Sequence, residues 1–147
     1  MNAQSFEAVA RDVLTRALAM VGLLGIALIH TLDAIPTFSE LPYKAWLYVV
    51  LITGAIAVAA MIVRRPTRWV WTAAGALVGG AIVGFVYSRT VGLPGAPDDI
   101  GNWTEPLGVA SLFVESIVLG VAGYAVAAIA PARTAIDRTR GLVSHAA

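Results

Sequence analysis

The sequence predicts an all-α protein, an integral membrane bundle of four helices joined by short loops. Of its 147 residues, 59% are hydrophobic and only 13% are charged, and the mean hydropathy is +0.80. Such a chain has too little polar surface to cover a water-soluble globule of this size. The absence of cysteine excludes disulfides and thiolate metal sites. No basic face is visible, which sets nucleic-acid binding aside.

Four segments have the length and composition of membrane-spanning helices. A spanning helix needs about 20 apolar residues, since it rises about 1.5 Å per residue across a hydrocarbon core about 30 Å thick. The predicted spans are approximately 13–35, 43–63, 69–87 and 107–130, in a single transmembrane domain, 1–147. Proline disrupts helices within lipid, so prolines are expected between the spans, beyond them or at their edges. The seven that meet this expectation are Pro36, Pro42, Pro66, Pro94, Pro97, Pro106 and Pro131.

The basic residues predict the orientation in the membrane. Only Lys44 and Arg89 lie on the side of the loops 36–42 and 88–106. The positive-inside rule therefore predicts a multi-pass protein of the cell membrane with both termini in the cytoplasm and those two loops outside. The eight basic residues on the predicted inner side are Arg11, Arg16, Arg64, Arg65, Arg68, Arg133, Arg138 and Arg140.

Small residues predict where the helices approach one another. Lipid offers no hydrophobic drive for association, so helices meet through close contact at small side chains. The predicted contacts lie either within one bundle or between two copies, and the bilayer, a second copy or another membrane protein are the expected partners. The candidate stripes are Gly75 with Gly79, Gly80 with Gly84, and Ala55 with Ala59.

Polar residues inside the spans are the first candidates for a functional site, because charges in lipid are costly and usually face the protein interior. Glu115 lies about 13 Å along its helix from Pro106, near the middle of the bilayer. Ser111 and Gly108 follow on the same face, one and two turns outward. This polar and small stripe predicts a path for water or an ion from Glu115 to the outer surface.

Two further polar residues share a face near the outer end of the first span. His30 and Asp33 are three residues apart and are expected to approach the Glu115 stripe. Imidazole and carboxylate together suit zinc, copper or iron, so His30, Asp33 and Glu115 form a candidate site for a divalent or transition metal ion. A hydrogen-bonded pair at the membrane interface and a role in proton handling remain open alternatives.

The outer loop supplies the remaining candidates. Arg89 follows the third span and is expected to pair with Glu115 or Asp33, either to lock the helices together or to serve function. Asp98, Asp99 and Glu105 supply oxygen donors of the kind that a hard cation accepts, although a solvated acidic loop explains them equally. Trp103 is expected to anchor this loop at the interface.

Two short motifs resemble a group of small bacterial four-span membrane proteins. They are the segment SRTVGLP at 88–94 and the segment EPLG at 105–108, together with the histidine that closes the first span. The resemblance covers nearly the whole chain. It implies the four-span architecture and a shared pattern that includes His30, Arg89 and Glu105, and it implies no activity.

Three functions compete on this evidence. The sequence favours an accessory or binding subunit with a polar site that opens to the extracytoplasmic face and has the potential to bind metal. The alternatives are a component of an oligomeric proton or cation transporter that uses Glu115, and a membrane-embedded metal-dependent enzyme that uses His30 and a carboxylate. No enzyme motif is present, and the sequence names no substrate.

Overall fold

The computed structural model describes the backbone of residues 3–144 and the side chains of residues 3–129. It contains four long helices, α1 (Ala3–Glu40), α2 (Pro42–Arg64), α3 (Arg68–Thr90) and α4 (Pro106–Ser144). All four are long and apolar enough to cross a membrane. The predicted all-α four-helix membrane bundle is therefore confirmed. Arg133, Arg138 and Arg140, which contributed to the predicted orientation, lie outside the described side chains.

The first and last helices, α1 and α4, are much longer than the predicted spans. Pro36 lies inside α1 rather than after it. Pro36 has no backbone N–H, so the Leu32 carbonyl one turn earlier loses its helical donor, which lipid cannot replace. Thr37 Oγ1 donates to the Asp33 carbonyl at 2.6 Å and Ser39 Oγ donates to the Pro36 carbonyl at 2.7 Å. These bonds add donors to the last turns of α1 but go to other carbonyls than that of Leu32. The proline is tolerated because it lies at the end of the helix near the bilayer surface, where water can satisfy a freed carbonyl. Helix α4 likewise continues past Pro131.

Proline and hydroxyl residues mark the tight connections between helices. Leu41 alone separates α1 from α2, and its backbone (φ −142°, ψ 78°) lies outside the helical region that a following proline disfavours. Pro42 occupies the first turn of α2, where a missing backbone donor costs little. Thr67 caps α3 by accepting a hydrogen bond from the Val70 amide at 3.4 Å. These short links force neighbouring helices to run antiparallel.

The four helices form a ring. Helix α1 packs against α2 and α4, while α3 packs against α4 and, less extensively, against α2. We call the end with the α1–α2 junction and the 91–105 loop the loop end. The other end, with the α2–α3 turn, is the terminal end.

An apolar core fills the bundle on the side of the terminal end. Its buried members are mainly small or branched side chains that interdigitate at close range. Many large apolar side chains face outward instead, among them Val21 at 72% and Val83 at 68% exposed. A water-soluble protein rarely exposes so much apolar surface, whereas lipid accepts it. The buried core includes Ala19, Leu23, Ile26, Ala55, Val58, Ala59, Ile62, Trp71, Ala74, Val78, Val118 and Ala122.

The glycine stripes of α3 pack differently from the prediction. A Cβ on Gly75 would lie 3.8 Å from Ala122 of α4, which is an ordinary packing contact. A Cβ on Gly79, Gly80 or Gly84 would meet nothing within 4 Å. Of the two predicted alternatives, contact within the bundle therefore holds at Gly75 but not at these three glycines, where no described side chain fills the groove. Contact between two copies stays a prediction there. The predicted stripe of Ala55 and Ala59 is buried in the core.

Candidate functional site

A cavity of about 320 Å³ occupies the half of the bundle nearer the loop end. Its volume is at the lower end of the range typical of small-molecule sites, about 300–1,000 Å³. Apolar side chains form most of the wall, and every helix contributes polar groups to it. Those polar groups are His30, Asp33, Lys44, Tyr48, Ser88, Arg89, Glu105, Ser111 and Glu115.

Glu115 and His30 meet in the innermost part of this cavity. Glu115 is 1% exposed and His30 is 8% exposed. His30 Nε2 lies 3.7 Å from Glu115 Oε1, an ion-pair distance, and Ser111 Oγ donates to the same oxygen at 2.7 Å. The predicted stripe of Glu115 and Ser111 therefore faces the protein interior and meets His30 there, as expected.

The backbone of α1 sets the orientation of the His30 ring. His30 Nδ1 lies 3.0 Å from the carbonyl oxygen of Ile26, one turn earlier in the same helix. Because a carbonyl only accepts hydrogen bonds, Nδ1 carries a proton and Nε2 faces Glu115. One proton can then sit on either side of the pair, as an imidazolium beside a carboxylate or as a carboxyl group beside a neutral imidazole. The pair has no net charge while it holds that proton and a charge of −1 without it.

Asp33 lines the same cavity beside a different partner. Tyr48 of α2 also lines the cavity, near enough to Asp33 for the phenol and the carboxylate to interact electrostatically. The Tyr48 ring also contacts the His30 ring edge to face, with centroids 5.2 Å apart. Within the part of the chain that the structure describes, no three His, Asp or Glu side chains converge as a metal site requires. The predicted metal set of His30, Asp33 and Glu115 thus shares a cavity without forming a ligand cluster.

Arg89 does not pair with Glu115 or Asp33, so that prediction is wrong. The side chain is 6% exposed. Its Nη1 lies 2.7 Å from Asp99 Oδ1, and its Nη2 lies 3.3 Å from Glu105 Oε2. The 91–105 loop folds back over the end of α3, where the Gly101 amide donates to the Arg89 carbonyl at 2.9 Å. The guanidinium therefore pairs with carboxylates of the loop instead of those inside the bundle.

Glu105 also caps α4. Its Oε1 accepts from the Leu107 amide at 3.0 Å, and its Oε2 accepts from the Gly108 amide at 2.7 Å. These are free donors of the first helical turn, and the negative charge suits the helix N-terminus. A Cβ on Gly108 would lie 2.5 Å from Phe85 Cε2 and 2.6 Å from Glu105 Oε2, so no larger residue fits there without displacement. The EPLG segment is thus a compact cap that holds Glu105 against Arg89.

Asp99 ties the 91–105 loop to two helices. Besides Arg89 it binds Lys44, whose Nζ lies 2.8 Å from Asp99 Oδ2. Burial disfavours its ionised form, but hydrogen bonds and charges from Lys44 and Arg89 outweigh burial and hold the pKa of Asp99 below its usual value. Gly92, with φ +89°, allows the chain to reverse after α3. The loop is therefore a fixed cover rather than a free acidic segment.

The other loop residues singled out by sequence have simpler surroundings. Asp98 is exposed, and Asn102 is exposed beside it. Trp103 is 45% exposed and sets its edge against Phe85 with ring centroids 6.1 Å apart. The proposed cluster of oxygen donors for a hard cation is therefore divided, since Asp99 and Glu105 bind cationic side chains while Asp98 faces outward.

Two site residues escaped the sequence analysis, Lys44 and Tyr48. Lys44 contributed only to the predicted orientation and Tyr48 to no prediction, although the two residues lie four positions apart and so share one face of α2. A basic residue and a phenol on one face of an otherwise apolar span were the signal that could have found them. The SRTVGLP and EPLG segments, by contrast, meet in space through the Arg89–Glu105 pair.

Beyond Glu115 the cavity ends at the apolar core. The buried polar or charged residues among the described side chains all lie towards the loop end: His30, Thr37, Ser88, Arg89, Ser111 and Glu115. Leu23, Ile26, Val78 and Val118, all 0% exposed, fill the bundle further towards the terminal end. The cavity is therefore closed at one end.

Comparison of the chain with protein-family models, with curated proteins and with solved structures finds no match. Folds of this kind host unrelated activities, so function must follow from the chemistry of the site. That chemistry consists of a buried His–Glu pair, a carboxylate beside a phenol, and an ion-paired loop above a largely apolar cavity.

Proposed function

We propose that this chain is a small multi-pass membrane protein that binds a ligand in the cavity, on the extracytoplasmic side of the bundle. The observation that carries the proposal is the convergence of polar side chains from all four helices on one largely apolar cavity. Ionisable groups inside a membrane bundle are expensive, and the same stability is available from apolar packing. A ligand that contacts these groups gives them a role.

The closed inner end of the cavity favours binding over conduction. A conducting path needs polar groups or water along its whole length. Here the apolar core separates the His30–Glu115 pair from the terminal end. A ligand can enter such a site and leave it by the same route.

The orientation is part of the proposal and has its own test. The arginines of the α2–α3 turn support a cytoplasmic terminal end. The chain has no cysteine, so single replacements can report on each side. Asp98→Cys is expected to react with a membrane-impermeant maleimide added to intact cells, while Thr67→Cys reacts only after lysis. The reverse pattern would place the cavity in the cytoplasmic half.

The accessibility of the cavity tests the binding function directly. Ala81 lines the cavity, whereas Ala76 of the same helix is exposed on the bundle surface and does not line it. N-ethylmaleimide reacts with thiolates, which form in hydrated surroundings. The Ala81→Cys thiol is expected to react, and the matched Ala76→Cys thiol in lipid is expected to react far more slowly. An inert thiol at position 81 would mean that nothing reaches the cavity.

Proton or cation transport is the second candidate, favoured by one observation. The His30–Glu115 pair can hold a proton on either partner, as a carrier site must. Transport then requires the apolar core to rearrange or several copies to form a path. Proton flux into liposomes that falls to background in Glu115→Gln would support this function, and flux equal to that of protein-free liposomes would remove it.

A further inference from the structure

The open side of the cavity lies between α2 and α3, within the apolar belt of the bundle. Leu47 and Val50 of α2 line the cavity and are 58% and 65% exposed. Gly80 and Gly84 of α3 line it opposite them, and added side chains there would meet open space. Val50 and Gly84 lie about 9–12 Å along their helices from the loop end. The cavity therefore opens between two helices at a depth where the surroundings are lipid.

The route along the bundle axis is covered by comparison. Asp99 joins the 91–105 loop to Lys44 of α2 and Arg89 of α3. The Tyr43 hydroxyl adds a bond to the Pro94 carbonyl at 2.7 Å. A molecule dissolved in the bilayer thus meets the gap beside Gly80 and Gly84, whereas one arriving from water at the loop end meets the ion-paired loop.

The charges near the cavity favour a cation over an anion. Lys44 and Arg89 are already engaged by the carboxylates of Asp99 and Glu105. Asp33 lines the cavity, and among the described residues no lysine or arginine lies within ion-pair distance of it. When the His30–Glu115 pair is left out of the count, the site has two cationic side chains, Lys44 and Arg89, and three carboxylates, those of Asp33, Asp99 and Glu105. Among the described residues that line the cavity, an anionic head group would therefore find no cationic side chain without a carboxylate partner, and the Nε of Arg89 is the one buried donor there that lacks a hydrogen bond.

The residues around Asp33 suit a positively charged group bound to an apolar body. Asp33 and Tyr48 both line the cavity, so a cation bound to the carboxylate has an aromatic ring nearby, and carboxylate and cation–π interactions both strengthen away from water. The apolar wall and the lipid-facing gap accommodate an attached chain. We infer that the ligand is an amphipathic cation, an amine with an apolar body, which enters from the bilayer between α2 and α3; this rests on the proposed binding function.

Three decyl compounds with different head groups separate charge from chain. Purified Ala81→Cys protein in lipid nanodiscs is labelled with N-ethylmaleimide in the presence of decyltrimethylammonium, decyl sulfate or decanol. The cationic compound protects the thiol at a concentration about tenfold or more below the others, as a charge-assisted contact with a carboxylate implies. Equal protection by all three, or stronger protection by decyl sulfate, would overturn the inference.

Variants at the head-group site test the role of Asp33. Asp33→Asn is expected to raise the protecting concentration of decyltrimethylammonium about tenfold, and Asp33→Glu to retain most of the protection. If Asp33→Asn does not fold, Tyr48→Leu removes the aromatic face and is expected to weaken the same probe severalfold. Unchanged protection in the folded variants would contradict the assignment.

Variants at the gap test the entrance. Gly84→Leu and Gly80→Leu fill the space between α2 and α3 and are expected to slow the onset of protection about tenfold. Gly120→Leu is the matched control, because Gly120 is also exposed in open space but lies on α4 away from the cavity. Unchanged onset in both gap variants would overturn lateral entry. A thiol that never reacts would refute the binding function itself, whereas a reactive thiol without cation preference refutes only this inference.

Discussion

Replacing Gly108 by alanine tests the packing that holds the 91–105 loop above the cavity. The new Cβ would lie 2.5 Å from Phe85 Cε2 and 2.6 Å from Glu105 Oε2, so at least one of these groups must move. Overpacking of this kind costs about 1–3 kcal/mol. Displacement of Glu105 weakens a helix cap worth about 0.5–2 kcal/mol. The higher helix propensity of alanine offsets at most about 1 kcal/mol of this loss in stability.

The expected net cost of Gly108→Ala is about 2 kcal/mol, or about thirtyfold in the folding equilibrium. Gly75→Ala is the matched control, since its Cβ would lie 3.8 Å from Ala122 and 3.9 Å from Leu119, which are ordinary contacts. That variant is expected to be neutral or more stable by up to about 1 kcal/mol.

Unfolding in mixed micelles measures both variants. Dodecyl sulfate is titrated into protein in dodecyl maltoside, and helix content is followed by circular dichroism. Because Trp103 contacts Phe85 edge to face, displacement of Phe85 is also expected to change tryptophan fluorescence in the folded state. Gly108→Ala unfolding at the same point as the unaltered protein, or Gly75→Ala losing as much stability, would refute the reasoning.

Three further predictions concern the loop and the core. The pKa of Asp99 in the folded protein lies below its ordinary 3.8, so its ion pairs stabilise the loop fully above pH 3.8 and lose this effect as the pH falls through the folded pKa. Hydrogen exchange of the Gly101 amide should accelerate as the pH falls through that pKa. Asp99→Asn should remove this pH dependence. Arg89→Met removes one cationic partner from Asp99, which keeps Lys44, and the only cationic partner shown for Glu105, which keeps its two backbone donors. The variant is expected to cost less than the about 3–5 kcal/mol of a fully buried pair, because the Asp99 and Glu105 side chains are 19% and 30% exposed; mixed-micelle unfolding that detects no loss contradicts this. Ile62→Ala, at a fully buried position, should cost no more than the lower half of the about 2–5 kcal/mol typical of water-soluble cores, since lipid supplies no hydrophobic drive; a loss in the upper half of that range in the same assay would count against it.

The fold was predictable because lipid imposes one strong rule on the backbone. Every backbone polar group in the bilayer must be satisfied within the chain, so long apolar segments must be helices. That rule does not apply near the bilayer surface, where water can replace a lost bond. Pro36 lies in this zone, and the helix continues through it, with hydroxyl donors from Thr37 and Ser39 in its last turns.

The site was predictable where it depended on helical periodicity. Ser111 and Glu115 share one face of α4, and that face points inward towards His30 because a carboxylate exposed to lipid would be costly. The partner of Arg89 depended instead on the path of a loop that reverses at glycines with positive φ, such as Gly92 and Gly101. No periodic pattern encodes such a path, so its ion pairs could not be derived from spacing.

The glycines of α3 show why a motif does not define its own role. Gly75 and Gly84 belong to identical GxxxG spacings, yet one packs against α4 and the other faces open space beside the cavity. A glycine allows a neighbouring helix to approach closely, but a packing contact forms only where a side chain of that helix lies at the same depth. Where α2 diverges from α3, the same small residues leave a gap.

The division of the bundle into an apolar half and a polar half explains how one small protein can be stable and still keep an open cavity. Towards the terminal end, side chains such as Leu23 and Val118 pack without polar groups, and close packing there needs no ligand. Towards the loop end, the His30–Glu115 pair and Asp33 keep the helices from closing tightly, because each polar group needs a partner or space for water. The cavity therefore persists because its polar residues cannot pack as the core does, and the stability of the apolar half permits that arrangement.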